Sequence, residues 1–220
     1  MPEMHIQWTI ERMDDSEEPN PAEGECLFQI EGRIECDGQA AGLVEAFYLF
    51  VQSPESPAAF MGFWDLDSGT CDVFEEITAP GHRKFLEPLP NLLEFDEGFL
   101  CVHFIALRPE FRRLGLGREA MCELVRNFAD ARVGVVLLDA RPLQHRPHGY
   151  DDFDEEVRDL PWNSPDEDQR SLIRHFHSWG MKHLPRTRFM FATPQDLVGD
   201  DFAEWYPGLL FDPDEDFDDE

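Results

Sequence analysis

The sequence predicts an α/β fold: a mixed, twisted sheet with helices on both faces. Three stretches carry that expectation. Residues 98–128 read as an apolar strand (about Gly98–Leu107), a turn at Arg108–Glu110, a glycine-bearing bend at Leu114–Gly117, and a helix. In the helix Leu116, Ala120, Met121, Leu124, Val125 and Phe128 recur at steps of three, four and one, so they line one face. Gly134–Asp139 (GVVLLD) is short, β-branched and bounded by loop signals, as suits a buried parallel strand beside the first, joined through the helix as a right-handed βαβ unit. Upstream, Leu27–Glu35 and Leu43–Val51 flank the turn Asp37-Gly38 and read as an antiparallel hairpin.

The remaining elements follow in chain order. His5–Glu11 alternates apolar and polar residues, as an edge strand does, and residues 12–25 are a loop rich in acids, Pro, Asn and Gly. Two prolines in Gln52–Pro57 end the hairpin. Ser68 caps an expected helix over 69–78, in which Val73, Phe74 and Ile77 share one side. Residues 79–97 carry Pro80, Pro88 and Pro90 and form a connection with one short helical turn near Asn91–Glu94. Residues 142–168 make a long acidic insertion, with nine acids and one arginine between 151 and 168. Gln169–Leu184 is a late helix with Leu172, Ile173 and Phe176 on its inner face and Gly180 at its C-terminal end. Arg188–Ala192 closes the sheet, and any hairpin with it is very short. Residues 193–211 form an extension with one short helix and packing aromatics (Phe202, Trp205, Tyr206). In the tail, 212–220, seven of nine residues are acidic, the composition of a disordered segment. The expected organisation is thus one domain: an N-terminal part over 1–97, a core over 98–192 and the two C-terminal segments.

At 220 residues and 42% hydrophobic, the chain can bury a proper core. Its formal net charge of −29 argues against binding a nucleic-acid backbone and favours cationic partners. The five cysteines are scattered and odd in number, as reduced core residues are, rather than a disulfide or zinc framework. No basic start with an apolar leader and no membrane-length apolar run is present, so a cytoplasmic protein without membrane attachment is expected. His145, His148, His175 and His177 match no standard metal-ligand spacing, and no metal is expected. Cys101 and Cys122 have no evident histidine or helix N-terminus to make them nucleophiles.

The chemistry concentrates at the bend. Gly115 and Gly117 let the backbone approach a ligand closely and leave the first N–H groups of the helix outward, a site for phosphate or pyrophosphate. Arg108, Arg112, Arg113 and Arg118 fall within eleven residues of a chain that has only 18 Lys and Arg, giving a polyanion a positive mouth. Arg112–Arg113–Leu114–Gly115–Leu116–Gly117, with its preceding strand and turn, resembles the Arg/Gln-x-x-Gly-x-Gly/Ala signature of the GNAT superfamily of acyl-CoA N-acyltransferases, and the likeness extends over 98–192. It implies a GNAT-like fold with acetyl-CoA as cosubstrate and transfer of an acetyl or short acyl group to a primary amine. On that likeness the backbone of Ile105, Ala106 and Leu107 pairs with pantetheine. The amides of Arg112, Arg113, Leu114, Gly115, Leu116, Gly117 and Arg118 hold the pyrophosphate. Phe176 stands where relatives carry a proton-donating tyrosine, and so packs against pantetheine without a proton to give. For the base, His103 is expected on the strand face of Ile105 and Leu107, and Asp139, at the end of the splayed strand, is the second candidate. The acidic insertion makes a cationic amine or a basic protein the expected acceptor. An alternative is a non-catalytic acidic protein on the same scaffold that imitates DNA or binds a basic partner.

Overall fold

The computed structural model describes residues 3–12, 27–50, 68–80, 84–93, 98–129, 133–145, 160 and 163–199. It is an α/β fold built on one seven-stranded mixed sheet. The strands are β1 (Met4–Arg12), β2 (Leu27–Cys36), β3 (Gln39–Phe50), β4 (Gly98–Leu107), β5 (Val133–Asp139), β6 (Lys182–His183) and β7 (Phe189–Ala192). Their order is β1-β2-β3-β4-β5-β7-β6, and only β4 and β5 run parallel to each other. The helices are α1 (Ser68–Ile77), α2 (Leu89–Leu92), α3 (Leu116–Phe128), α4 (Pro165–His177) and α5 (Pro194–Val198).

The period-two alternation of the strands sends side chains to two separate cores. Leu100, Val102, Val136 and Leu138 pack with Leu116, Met121, Leu124 and Phe176, from α3 and α4. Phe99, Cys101, Val135 and Leu137 pack with Val73, Phe74, Ile77 and Leu89, from α1 and α2. Helices therefore cover both faces, and β4 and β5 are buried on both sides, as their unbroken apolar runs require.

Local chemistry explains where the elements begin and end. Asp37 and Gly38 have φ of 50° and 75°, the double positive turn that matches strand twist in a two-residue hairpin. That tight turn lets β3 start at Gln39, four residues earlier than expected. Gly42 is needed where β3 meets β4: a Cβ there would lie 2.1 Å from the carbonyl oxygen of Ala106. α4 likewise starts earlier than expected, at Pro165, because Ser164 and Glu167 form a capping box and Asp166, Glu167 and Asp168 face the positive end of the helix. Gly180, with φ 98°, turns the chain out of the segment after α4 and into the two-residue β6. The acids of 151–159, the aromatics Phe202, Trp205 and Tyr206, and the tail lie outside the described residues. Among the described residues no helix is long and apolar enough to cross a membrane.

Candidate functional site

The parallel ladder between β4 and β5 ends at the pair Val102–Leu138. β5 ends one residue later, at Asp139, still paired with β7, while β4 continues to Leu107 paired only with β3 among the described residues. Among the described residues the backbone of Ile105–Leu107 therefore has no strand partner on the β5 side. Beside that edge lies a cleft of about 310 Å³. Phe104–Leu107 form one wall. Asp168, Ser171, Leu172 and Phe176 form the opposite one, at spacings that fall on one face of α4. Leu138 and Asp139 lie where the two strands part, and Arg112, Arg141, Leu143 and Gln144 complete the lining.

The turn into α3 continues from the Arg112 end of this cleft. Arg113 has φ 62° and Gly115, the N-cap, φ 85°; no side chain caps the helix. Arg113, Leu114, Gly115 and Arg118 are exposed. Leu116 is buried in the core, where only its amide can serve a ligand. The N–H groups at this helix start carry the positive end of the dipole, and the acid of the first turn is Glu119. Arg112 donates from Nε to the Leu107 carbonyl at 3.0 Å, which fixes the guanidinium at the end of β4.

The expected placement of His103 needs correction. β4 carries one extra residue opposite β3: Glu45 pairs with Phe104 and Ala46 with Val102, so His103 is bulged between them. A bulge breaks the alternation. Ile105 and Leu107 pack on the α3 side, whereas the His103 ring lies 6.0 Å from that of Phe47 on the opposite face. His103 is buried and does not line the cleft, although its neighbour Phe104 does. Its Nδ1 lies 2.7 Å from Glu45 Oε1. A carboxylate only accepts, so Nδ1 carries the hydrogen, and in the neutral ring the lone pair is on Nε2. Glu45 escaped the sequence reading because its partner is 58 residues away. The visible signal was a lone acid in the apolar run LVEAFYLFV.

Asp139 does line the cleft, with its side chain only 1% exposed. Its Oδ1 accepts from the Arg141 backbone N–H (2.9 Å) and from Arg188 Nε (3.0 Å), and its Oδ2 accepts from Arg141 Nη2 (3.1 Å). Arg188 also pairs with Glu76 of α1. This arrangement suits a structural anchor better than a base, because proton acceptance would break ion pairs in a buried setting. The second buried carboxylate, Asp168, is held by Asn163 Nδ2 (2.7 Å), His145 Nε2 (2.8 Å), Gln144 Nε2 (3.2 Å) and the Asn163 backbone N–H (3.2 Å). The Asn163 side chain first, and then His145, hold it below the usual carboxylate range. None of these partners was legible, because they come from the two ends of the 142–168 insertion, up to 24 residues from Asp168.

Phe176 lies on the cleft wall, edge-on to Trp179 with centroids 5.0 Å apart. His175 packs against the same indole, and burial lowers its pKa. Burial raises the Cys101 thiol to about 12 and the Cys122 thiol in the same direction, so neither is a ready thiolate. No protein-family model, curated protein or solved structure matches the chain.

Proposed function

We propose that the chain is a GNAT-type N-acyltransferase that moves an acetyl or other short acyl group from its CoA thioester to a primary amine. One observation carries this reading: a β4 edge at Ile105–Leu107 without a strand partner among the described residues, flanked by a cleft, ends beside the arginine-bearing start of α3, which has no side-chain cap among those residues. An extended amide chain such as pantetheine can pair with the edge as an added strand. A pyrophosphate at its far end meets the α3 amides, with Arg112, Arg113 and Arg118 close in sequence. Phe176 and Leu172 supply apolar wall to the pantetheine.

The thioester supplies the acyl group and a sulfur that leaves with the electron pair of the broken C–S bond. The attacking amine forms the C–N bond and must lose one proton. His103, its Nδ1 held by Glu45, is the proton acceptor of this reading, next in sequence to Phe104 of the cleft wall. Backbone N–H groups near the bulge are the donors available to the carbonyl oxygen. No tyrosine replaces Phe176, so the thiolate departs without a proton from that position, and slow turnover is expected.

The test is to mix the protein with acetyl-CoA and follow free thiol over a panel of amines, with calorimetry for CoA binding. Amine-dependent thiol release supports the reading; no CoA binding overturns it. The net charge of −29 favours a second reading, an acidic protein that binds a basic partner on this scaffold. Bound CoA with no turnover, together with tight binding to a basic protein that survives Gly117→Glu, would select it.

A further inference from the structure

We infer that two copies of this chain associate through β1, edge to edge and antiparallel, about a two-fold axis at Trp8. This goes beyond the acyltransferase reading and does not depend on it. The sheet ends in two edges of different construction. At one, β6 is two residues long and includes Lys182, a short and charged strand of the kind that deters pairing. At the other, β1 runs nine residues without a lysine or a proline, and its register with β2 has no bulge. Among the described residues no strand pairs with the outer side of β1. This edge therefore lacks the devices that keep exposed strands apart.

The residues of β1 are complementary to a second copy of themselves. A two-fold axis at Trp8 sets Gln7 opposite Thr9, Ile6 opposite Ile10 and His5 opposite Glu11 of the second copy. Apolar meets apolar, amide meets hydroxyl, and an imidazole N–H donor meets a carboxylate in either protonation state. Ile6 and Trp8 pack against the α3 core. Ile10, which alternation puts on the same face, is 39% exposed and is one of two large hydrophobic side chains exposed among the described residues. Across the axis it lies beside Ile6 of the second copy and continues that core. His5, Gln7, Thr9 and Glu11 are exposed on the other face, so they meet their partners without repacking. The Trp8 ring lies over Gly32 of β2, edge-on to Phe128 at 5.1 Å, and so leans away from the axis. A shift of one residue would set Ile10 against His5 and Ile6 against Thr9.

Charge points to the same strand. The chain holds 47 Asp and Glu, yet β1 has one acid, Glu11, next to Arg12. Two bodies of net charge −29 repel each other, and a strand with no net charge is where they can approach at least cost. The contact also closes on itself. It uses both β1 edges and leaves only the blunted β6 edges outermost, which gives a dimer rather than a filament. A nine-residue antiparallel ladder adds about eight to ten backbone hydrogen bonds, within the range of a specific interface. One strand pair working against that repulsion makes a weak dimer, with Kd on the order of 10 μM.

Sedimentation velocity on the full chain from about 1 to 300 μM tests this, and should show a monomer giving way to a dimer. Raising NaCl from about 0.05 to 0.5 M should tighten the dimer several-fold, because screening removes the repulsion between the two bodies. Ile10→Lys sets a charge against Ile6 of the second copy at two places and should weaken the dimer by roughly tenfold or more. His5→Glu alone and Glu11→Lys alone each oppose like charges twice and should weaken self-association by roughly five- to tenfold. Mixing those two variants puts an attractive partner at both contacts and should bring Kd back to within about threefold of wild type, which only this register does. Circular dichroism checks that each variant folds; if Ile10→Lys does not, the exposed His5 and Glu11 positions carry the test. A monomer at every concentration, a dimer that Ile10→Lys leaves intact, or single variants whose mixture does not recover would overturn the inference. CoA binding decides the acyltransferase reading separately.

Discussion

Gly117→Glu separates the binding role of the α3 start from its packing role. An ideal Cβ on Gly117 would lie 3.4 and 3.5 Å from Trp179 ring atoms and 3.7 Å from Leu107 Cδ1. Those are ordinary contact distances, and residue 117 is helical, so a side chain fits without backbone strain. Gly117→Ala is therefore the control. It removes a glycine from the first turn and should add up to about 1 kcal/mol of stability, or roughly 2–4 °C in Tm for a domain of this size. Its methyl faces Trp179, so CoA affinity should hold. The glutamate is also tolerated by the fold, since an acid in the first turn favours the helix dipole by about 0.3–1 kcal/mol. Its longer side chain must turn from the Trp179 contact towards solvent to keep its charge hydrated, which brings that charge to the start of α3, where the proposed reading places the pyrophosphate. Two unit charges 4 Å apart repel by about 4 kcal/mol at an effective dielectric constant near 20. That corresponds to about three orders of magnitude in Kd. Calorimetry against CoA, with thermal melts by circular dichroism, measures both effects. A folded Gly117→Glu protein with wild-type affinity would refute the assignment of the α3 start to the cosubstrate.

The other predictions concern the proton path, the thiol end and acid stability. His103→Ala should lower kcat by about two to four orders of magnitude, the usual worth of a general base, with CoA affinity unchanged. Glu45→Gln should lower kcat less than His103→Ala does, and equal kcat in wild type and both variants would exclude the pair from the chemistry. Phe176→Tyr should keep CoA affinity and leave kcat equal or higher; loss of CoA binding would show that α4 is not the pantetheine wall. The Asp168 carboxyl is lowered in the folded state, so the stability it contributes is fully present above its unfolded value near 3.9 and is lost as pH falls through the folded value. Denaturant unfolding of Asp168→Asn between pH 6 and pH 3 should therefore show a flatter acid limb than wild type. A parallel limb would mean that the four donors around Asp168 do not act on its charge.

Much of the fold was determined by the sequence alone, because its signals are local. Alternation with period two in Met4–Arg12, a turn that tolerates positive φ at Asp37-Gly38, and a 3.6-residue stripe from Leu116 to Phe128 each act within a few residues. The buried strand GVVLLD and the glycine bend before α3 belong to the same class, and so do the elements that carry Ile105–Leu107, Arg112 and Phe176. Even the missed start of α4 was written locally, as Ser164-Pro165-Asp166-Glu167, a capping box hidden in an acidic run. The tertiary structure alone decided which polar groups meet. The bulge that turns His103 away from Ile105 exists only in the register of β4 against β3. Glu45 reaches His103 across 58 residues, and Arg188 reaches Asp139 across 49. Asp168 gathers donors from the two ends of the insertion. A one-residue change of register would reverse the face of every side chain beyond it, so such pairings are set by how the strands dock and not by any pattern along the chain.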